Sequence, residues 1–187
     1  MHISGAWILL IFISLSTTLI LLTLHLTKLG LLIHQQIPDR PRRRLFLASV
    51  SFFLTFLAVR LLVSAIVHHV GPFNYVEVGG RHIHHLVWGI FLLLICGYGE
   101  LTEAGDGSSA GAIFLSRLLA LGYGSGAALT LDEFAIWLNL DAAAYWNRQG
   151  RESIDAIVLF GALLAMGAWG APLFRRLARF GARIESH

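Results

Sequence analysis

Cysteine is almost absent: Cys96 is the single one in 187 residues. One thiol cannot close an intramolecular disulfide, so a disulfide framework and a cysteine-based zinc cage are both excluded, and any metal site has to draw on histidine, carboxylate or water. Charge is scarce too. Asp, Glu, Lys and Arg make up 13% of the chain against 56% hydrophobic residues, with a mean hydropathy of +0.70, far from the composition of a water-soluble domain. Soluble-enzyme motifs are missing: there is no P-loop and no GxGxxG following a strand. Also missing are the HExxH of membrane zinc proteases and the repeated HxxxH and HxxHH boxes of di-iron desaturases.

What the chain does have is a series of long apolar runs, about five of them long enough for membrane helices. They cover residues 6–33, 45–67, 82–98, 112–138 and 154–171 of a single integral membrane domain spanning 1–187. The first run lacks the basic start and small-residue cleavage site of a signal peptide and reads as a retained helix. The fifth ends at Pro172, after which Leu173, Leu177, Phe180 and Ile184 keep helical spacing among arginines, as expected of an amphipathic tail over 173–187 lying on the membrane. The expected fold is therefore an all-α bundle of about five transmembrane helices. A re-entrant piece around 139–153, with Tyr145 and Trp146 at the interface, is compatible with it.

The net charge of +3 is a topology signal before it is a sign of nucleic-acid binding, and no nucleic-acid partner is expected. Arg40, Arg42, Arg43, Arg44, Arg117, Arg175, Arg176, Arg179 and Arg183 fall on one side of the alternating runs, and only Arg81, Arg148 and Arg151 on the other. Under the positive-inside rule the N-terminus is outside and the C-terminus cytoplasmic.

With that orientation the polar residues inside the runs gather at one depth. Arg60, Ser64 and His68 recur at i, i+4, i+8 on the outer half of the second run, making one polar stripe. His82, His84 and His85 open the third run, Asp132 and Glu133 come late in the fourth, and Asp155 starts the fifth. Charges in such runs cost about 2.5–3.5 kcal/mol each on insertion scales and normally face a partner or a cavity. On a regular helix His82 and His85 share a face while His84 points about 100° away. Gly122 and Gly126 make a small-xxx-small pair suited to close helix packing.

His82-Ile83-His84-His85 with Trp88-Gly89, then Leu131-Asp132-Glu133-Phe134 with Trp137-Leu138, then Tyr145-Trp146 and Ser153-Ile154-Asp155, resemble a family of small bacterial integral membrane proteins carrying HIHHxxWG and LDEFxxWL motifs. The resemblance covers residues 79–155 and implies a multi-pass protein of the bacterial inner membrane. It brings no activity, substrate or cofactor.

From the residues themselves, the expected function is a metal-dependent hydrolase acting on a lipid or lipid-linked substrate near the outer leaflet. His82, His85, Glu133 and His84 are the expected ligands of a divalent ion, with zinc first and iron or manganese next. Asp132 is the expected general base or histidine orienter, and Arg60 the group facing an anionic headgroup or developing charge. Ser64, His68 and Asp155 complete the polar level. A metal-ion or proton transporter is the first alternative, set back by the lack of polar stations along the inner halves of the second to fourth runs. A non-catalytic assembly subunit, whose ion pairs only fix packing, is the second. Expected partners are membrane lipids and a second copy or another membrane protein.

Overall fold

The computed structural model describes the backbone of residues 3–71, 73–74, 77–78, 81–145 and 150–184, and the side chains of these apart from 3–10, 73–74, 77–78, 81–82, 142, 144 and 171–184. Among the described residues the fold is all-α. Its seven helices are α1 Gly5–Leu26, α2 Leu29–Gln36, α3 Arg40–Val67, α4 His85–Leu101, α5 Ala110–Asp132, α6 Phe134–Asn139 and α7 Gly150–Ile184. A 3-10 turn, Ala142–Tyr145, precedes α7. Two minimal strand pairs join the loops: β1 Ile3–Ser4 runs parallel to β2 Phe73–Asn74, and β3 Glu77–Val78 is antiparallel to β4 Arg81–His82, with Glu77 opposite His82.

Three segments, Arg40–Val67, Ala110–Asp132 and Gly150–Gly170, are long and apolar enough to cross a membrane, and Ile11–Leu26 with Leu29–Gln36 makes a fourth if that bent pair is one span. By length and hydropathy they point to a multi-pass membrane protein. The outward faces agree: Leu15, Leu19, Leu61, Leu94, Ile95 and Leu159 are each more than half exposed, an apolar surface that lipid tails solvate and water does not. With 17 residues, α4 is about 25 Å long, shorter than the hydrocarbon core.

The centre of the bundle is α5, which packs on α3 and α4 and also touches α1 and α7. Its glycines set those approaches. A Cβ at Gly124 would overlap the Ala48 carbonyl and the Ser51 hydroxyl of α3, and one at Gly126 would lie 2.9 Å from the Leu93 amide nitrogen of α4. Phe52, Ala127, Ala128, Ile157 and Leu164 form one buried cluster joining α3, α5 and α7, and Leu21, Leu24, Leu47, Ala120 and Leu121 form a second that holds α1. The end contacts give the directions. Arg44 of α3 meets Ser116 near the start of α5 and Glu100 at the end of α4, so α3 and α5 run parallel and α4 runs against both. Arg42 meets Ala168, in the second half of α7, which also runs against α3.

Element boundaries differ from the sequence expectation in five places. The run over 6–33 is two helices bent by 83°. At the break the Thr27 hydroxyl donates to the Thr23 carbonyl at 2.5 Å and accepts from the Leu29 amide at 3.2 Å, and Gly30 folds so close to the Leu24 carbonyl that no side chain would fit. The arginine-rich segment expected as a loop is helical from Arg40, because Pro41 in the first turn has no amide to satisfy and a preset φ. The run over 82–98 becomes helical only at His85, with His82 ahead of it in β4. The run over 112–138 breaks at Glu133, the residue between α5 and α6. Finally, α7 continues through Pro172 to Ile184. Proline lacks the amide that would bond the Ala168 carbonyl four residues earlier, and Arg42 supplies the replacement donor at 2.9 Å.

Candidate functional site

The site is assembled at the junction of three chain breaks: the start of α4, the α5–α6 break and the end of the 3-10 turn. His84 is the N-cap residue of α4, with extended backbone (ψ 144°) and no side-chain cap bond of its own. The cap comes from the α5–α6 break. Glu133 Oε2 accepts the Leu86 amide at 2.9 Å, which places a carboxylate at the positive end of α4.

The same carboxylate holds both imidazoles. His84 Nδ1 lies 2.7 Å from Glu133 Oε1, and His85 Nδ1 lies 3.6 Å from Glu133 Oε2. On its other side His85 Nε2 lies 3.1 Å from Asp132 Oδ2. That oxygen also accepts the Tyr145 hydroxyl at 2.8 Å, while Oδ1 faces Arg60 Nε at 2.5 Å. The arginine contact is ionic without the angle of an aligned hydrogen bond, and an Arg60 terminal nitrogen also reaches the Asp132 carbonyl at 3.4 Å. The guanidinium carbon sits 4.4 Å from the centre of the Tyr145 ring and 5.5 Å from that of Phe56, aromatic faces that favour a cation.

Asp132 is fully buried, whereas the His84 side chain is 29% exposed and that of Arg60 24%. The cluster therefore runs from a surface histidine to a buried aspartate. A carboxylate only accepts, so the imidazole nitrogen facing it carries hydrogen: Nδ1 in His84, and Nε2 in His85 toward Asp132. Burial, and next the Asp132 charge, push the Tyr145 hydroxyl above its ordinary range, which keeps it a donor to that carboxylate. No family model, no curated protein and no solved structure matches this chain. The chemistry of the site thus rests on its geometry.

Of the residues picked from sequence, the structure brings together His84, His85, Asp132, Glu133 and Arg60. It leaves others apart. His68 folds back on its own helix, with Nδ1 2.8 Å from the Ser64 carbonyl and 3.5 Å from the Ser64 hydroxyl, in an exposed setting. Asp155 is 59% exposed and pairs with Arg151 at 3.8 Å on the surface of α7. The His82 side chain lies outside the described residues, and its backbone is in β4, so the i, i+3 relation to His85 expected of a helix does not arise. Instead the extended His84 backbone sends two successive rings to one carboxylate.

The sequence marks Tyr145 only as an interfacial aromatic, whereas its hydroxyl is a partner of Asp132. It is brought back by a closure no motif announces. The Ser153 hydroxyl accepts the Ala135 amide at 3.0 Å, and Asn139 donates to Glu152 at 2.6 Å, fastening α6 to the start of α7. The short spacing from Asp132 to Tyr145, with a helix-stopping Asn139 between, is the signal that could have found it.

Proposed function

We propose that this is a bacterial inner-membrane protein with five membrane-crossing segments, N-terminus outside, whose working part is a metal-free acid–base centre at the outer end, acting on a lipid or lipid-linked substrate. The alternating helix directions and the arginine distribution support the topology. One observation carries the chemistry: His84, Glu133, His85, Asp132 and Tyr145 follow one another in contacts of 2.7 to 3.6 Å.

The charges fit one mobile proton. Arg60 offsets one of the two carboxylates, and a single proton on the imidazole pair offsets the other, so the charge-balanced centre carries one proton and acts as a base once that proton is gone. Glu133 holds His84 in the tautomer whose Nε2 is the basic nitrogen, the orienting role a carboxylate plays for a catalytic imidazole. In a hydrolytic step the imidazole takes a proton from the attacking water and returns it to the leaving oxygen. The exposed edge of Arg60 opposes the developing negative charge.

The second reading is the metal-dependent hydrolase, favoured by two imidazoles and a carboxylate within one contact sphere on two neighbouring helices. The donor set does not fit it well. Each Glu133 oxygen is engaged by an imidazole or an amide, each Asp132 oxygen by Arg60, Tyr145 or His85. Among the described residues, no three His, Cys, Asp or Glu groups are placed to hold an ion.

One sample separates the two. Metal content by inductively coupled plasma mass spectrometry, with nitrogen-15 NMR of labelled histidine, is expected to show a metal-free protein whose His84 is protonated on Nδ1, a state lost in Glu133→Ala. About one zinc, iron or manganese per chain, lost on replacing His84 and His85 by alanine, would establish the second reading. Metal-free protein with both imidazoles in the tautomer mixture of free histidine would defeat both.

A further inference from the structure

The opposite end of the bundle holds a feature that the acid–base centre does not use and that does not depend on it. Where α2 turns away from α1, it leaves a cavity of about 980 Å³ between α1, α2, α3 and α5. Its walls divide by chemistry. Arg40, Arg43, Arg44 and Arg117 line one part with His25 and His34, and among the described residues no Asp or Glu lines it. Leu21, Leu22, Leu31, Ile113 and Phe114 line the rest.

The arginines are not equally occupied. Arg44 is neutralised by Glu100 at 2.8 Å and Asp106 at 2.6 Å, and donates to Ser116 at 2.8 Å. Arg40 pairs with Asp106 at 3.7 Å and donates to the carbonyls of Gly105, Asp106 and Gly107. Arg43, by contrast, donates to the backbone carbonyls of Ile37 and Pro38 at 2.9 and 2.6 Å. Among the described residues, neither Arg43 nor Arg117 has a carboxylate within ion-pair distance. Two guanidinium groups with surplus charge thus share a half-enclosed space with a greasy wall.

We infer that this cavity binds the phosphate of an anionic membrane lipid. Arg43 and Arg117 face the phosphate oxygens, and the first carbons of an acyl chain lie along Leu31, Ile113 and Phe114. Guanidinium matches a phosphate oxyanion in charge and fork geometry, and basic pockets between membrane helices on the positive side are where anionic headgroups bind. A free phosphate would satisfy the arginines and leave the apolar wall empty, so the lipid is the occupant the whole cavity fits. The sharp α1–α2 bend, made by Thr27 and Gly30, opens the space.

The test is native mass spectrometry of the full chain released from detergent, with dioleoyl-phosphatidylglycerol, dioleoyl-phosphatidylcholine or inorganic phosphate as the probe. Wild type is expected to retain phosphatidylglycerol roughly thirtyfold over phosphatidylcholine, as expected when about two cations contact the headgroup, and to show no matching phosphate adduct. The R43Q/R117Q double variant is expected to lose the preference, and Arg151→Gln, on the surface of α7, to keep it. Equal retention of the two lipids by wild type would overturn the inference, as would a preference that survives the double variant. Inorganic phosphate that binds as well as the lipid and displaces it would reassign the cavity to a soluble anion. If R43Q/R117Q does not fold, the R43K/R117K variant takes its place: it keeps the charge, loses the fork and is expected to retain a reduced preference, and an unchanged one would refute the guanidinium contact.

Discussion

The two ends of this bundle use the same side-chain types in opposite ways. At the histidine end, two carboxylates, two imidazoles, a phenol and an arginine meet one another at short range around a fully buried Asp132. At the arginine end, cations outnumber the carboxylates that reach them and border an open cavity. A closed polar network in an apolar protein fixes geometry and holds protons. An unbalanced, open one is a binding surface. Burial decides the energetics as well: a deleted partner leaves an uncompensated charge at the first end, whereas water and salt screen the loss at the second.

That contrast gives graded predictions for unfolding in detergent. Asp132→Ala strands Arg60 and is expected to cost about 3–5 kcal/mol, read from denaturant midpoints at constant slope. Tyr145→Phe removes a hydrogen bond to a charged acceptor and is expected to cost about 1.5–3 kcal/mol. It carries a pH signature besides. Because the folded-state pKa of Tyr145 is raised, its contribution is fully present below the unfolded-state value of about 10 and falls as pH rises above it. Wild type should lose stability in that alkaline range and the Phe variant should lose less, so parallel pH profiles would show that the phenol is not held as described. Glu133→Gln keeps an acceptor for the Leu86 amide but loses the charge facing His84, for an expected cost of about 1 kcal/mol. A double-mutant cycle with His84→Ala isolates the pair, and zero coupling would remove His84 from the network. At the other end Asp106→Asn is expected to cost no more than about 1 kcal/mol, since its carboxylate is half exposed. A loss as large as that of Asp132→Ala would erase the distinction between the ends.

The sequence makes the first end visible because its signal is local and additive. Counting spans puts His84, His85, Asp132, Glu133 and Arg60 at one depth, and helix parity needs no tertiary detail. It also places Asp155 and His68 there, since depth says nothing about which way a side chain points; both face outward or fold back on their own helix. The preference for His82 over His84 assumes a regular helix, and what stops the helix short is a carboxylate from another segment. Tyr145 and the α1–α2 bend depend on contacts between residues distant in space or on a glycine packed against a carbonyl, which periodicity does not report. The transport alternative meets a further fact. The α3–α5 seam does carry a buried polar pair, Thr55 and Ser125, 3.0 Å apart. Ser125 is seven residues from Asp132, however, about 10 Å along the helix, too far for direct proton transfer.

The amide that Glu133 accepts belongs to a helix synthesised before it. When α4 leaves the ribosome its first turn has no side-chain cap of its own, and its 17 residues are short for the bilayer. In the proposed five-span topology that turn keeps an amide unsatisfied at the edge of the hydrocarbon until α5 arrives, an arrangement lipid does not tolerate. In that topology α4 and α5 are therefore expected to enter the membrane together as one hairpin. Glu133, just past the end of α5, completes the first turn of α4 in the same event that brings the two imidazoles to their carboxylates.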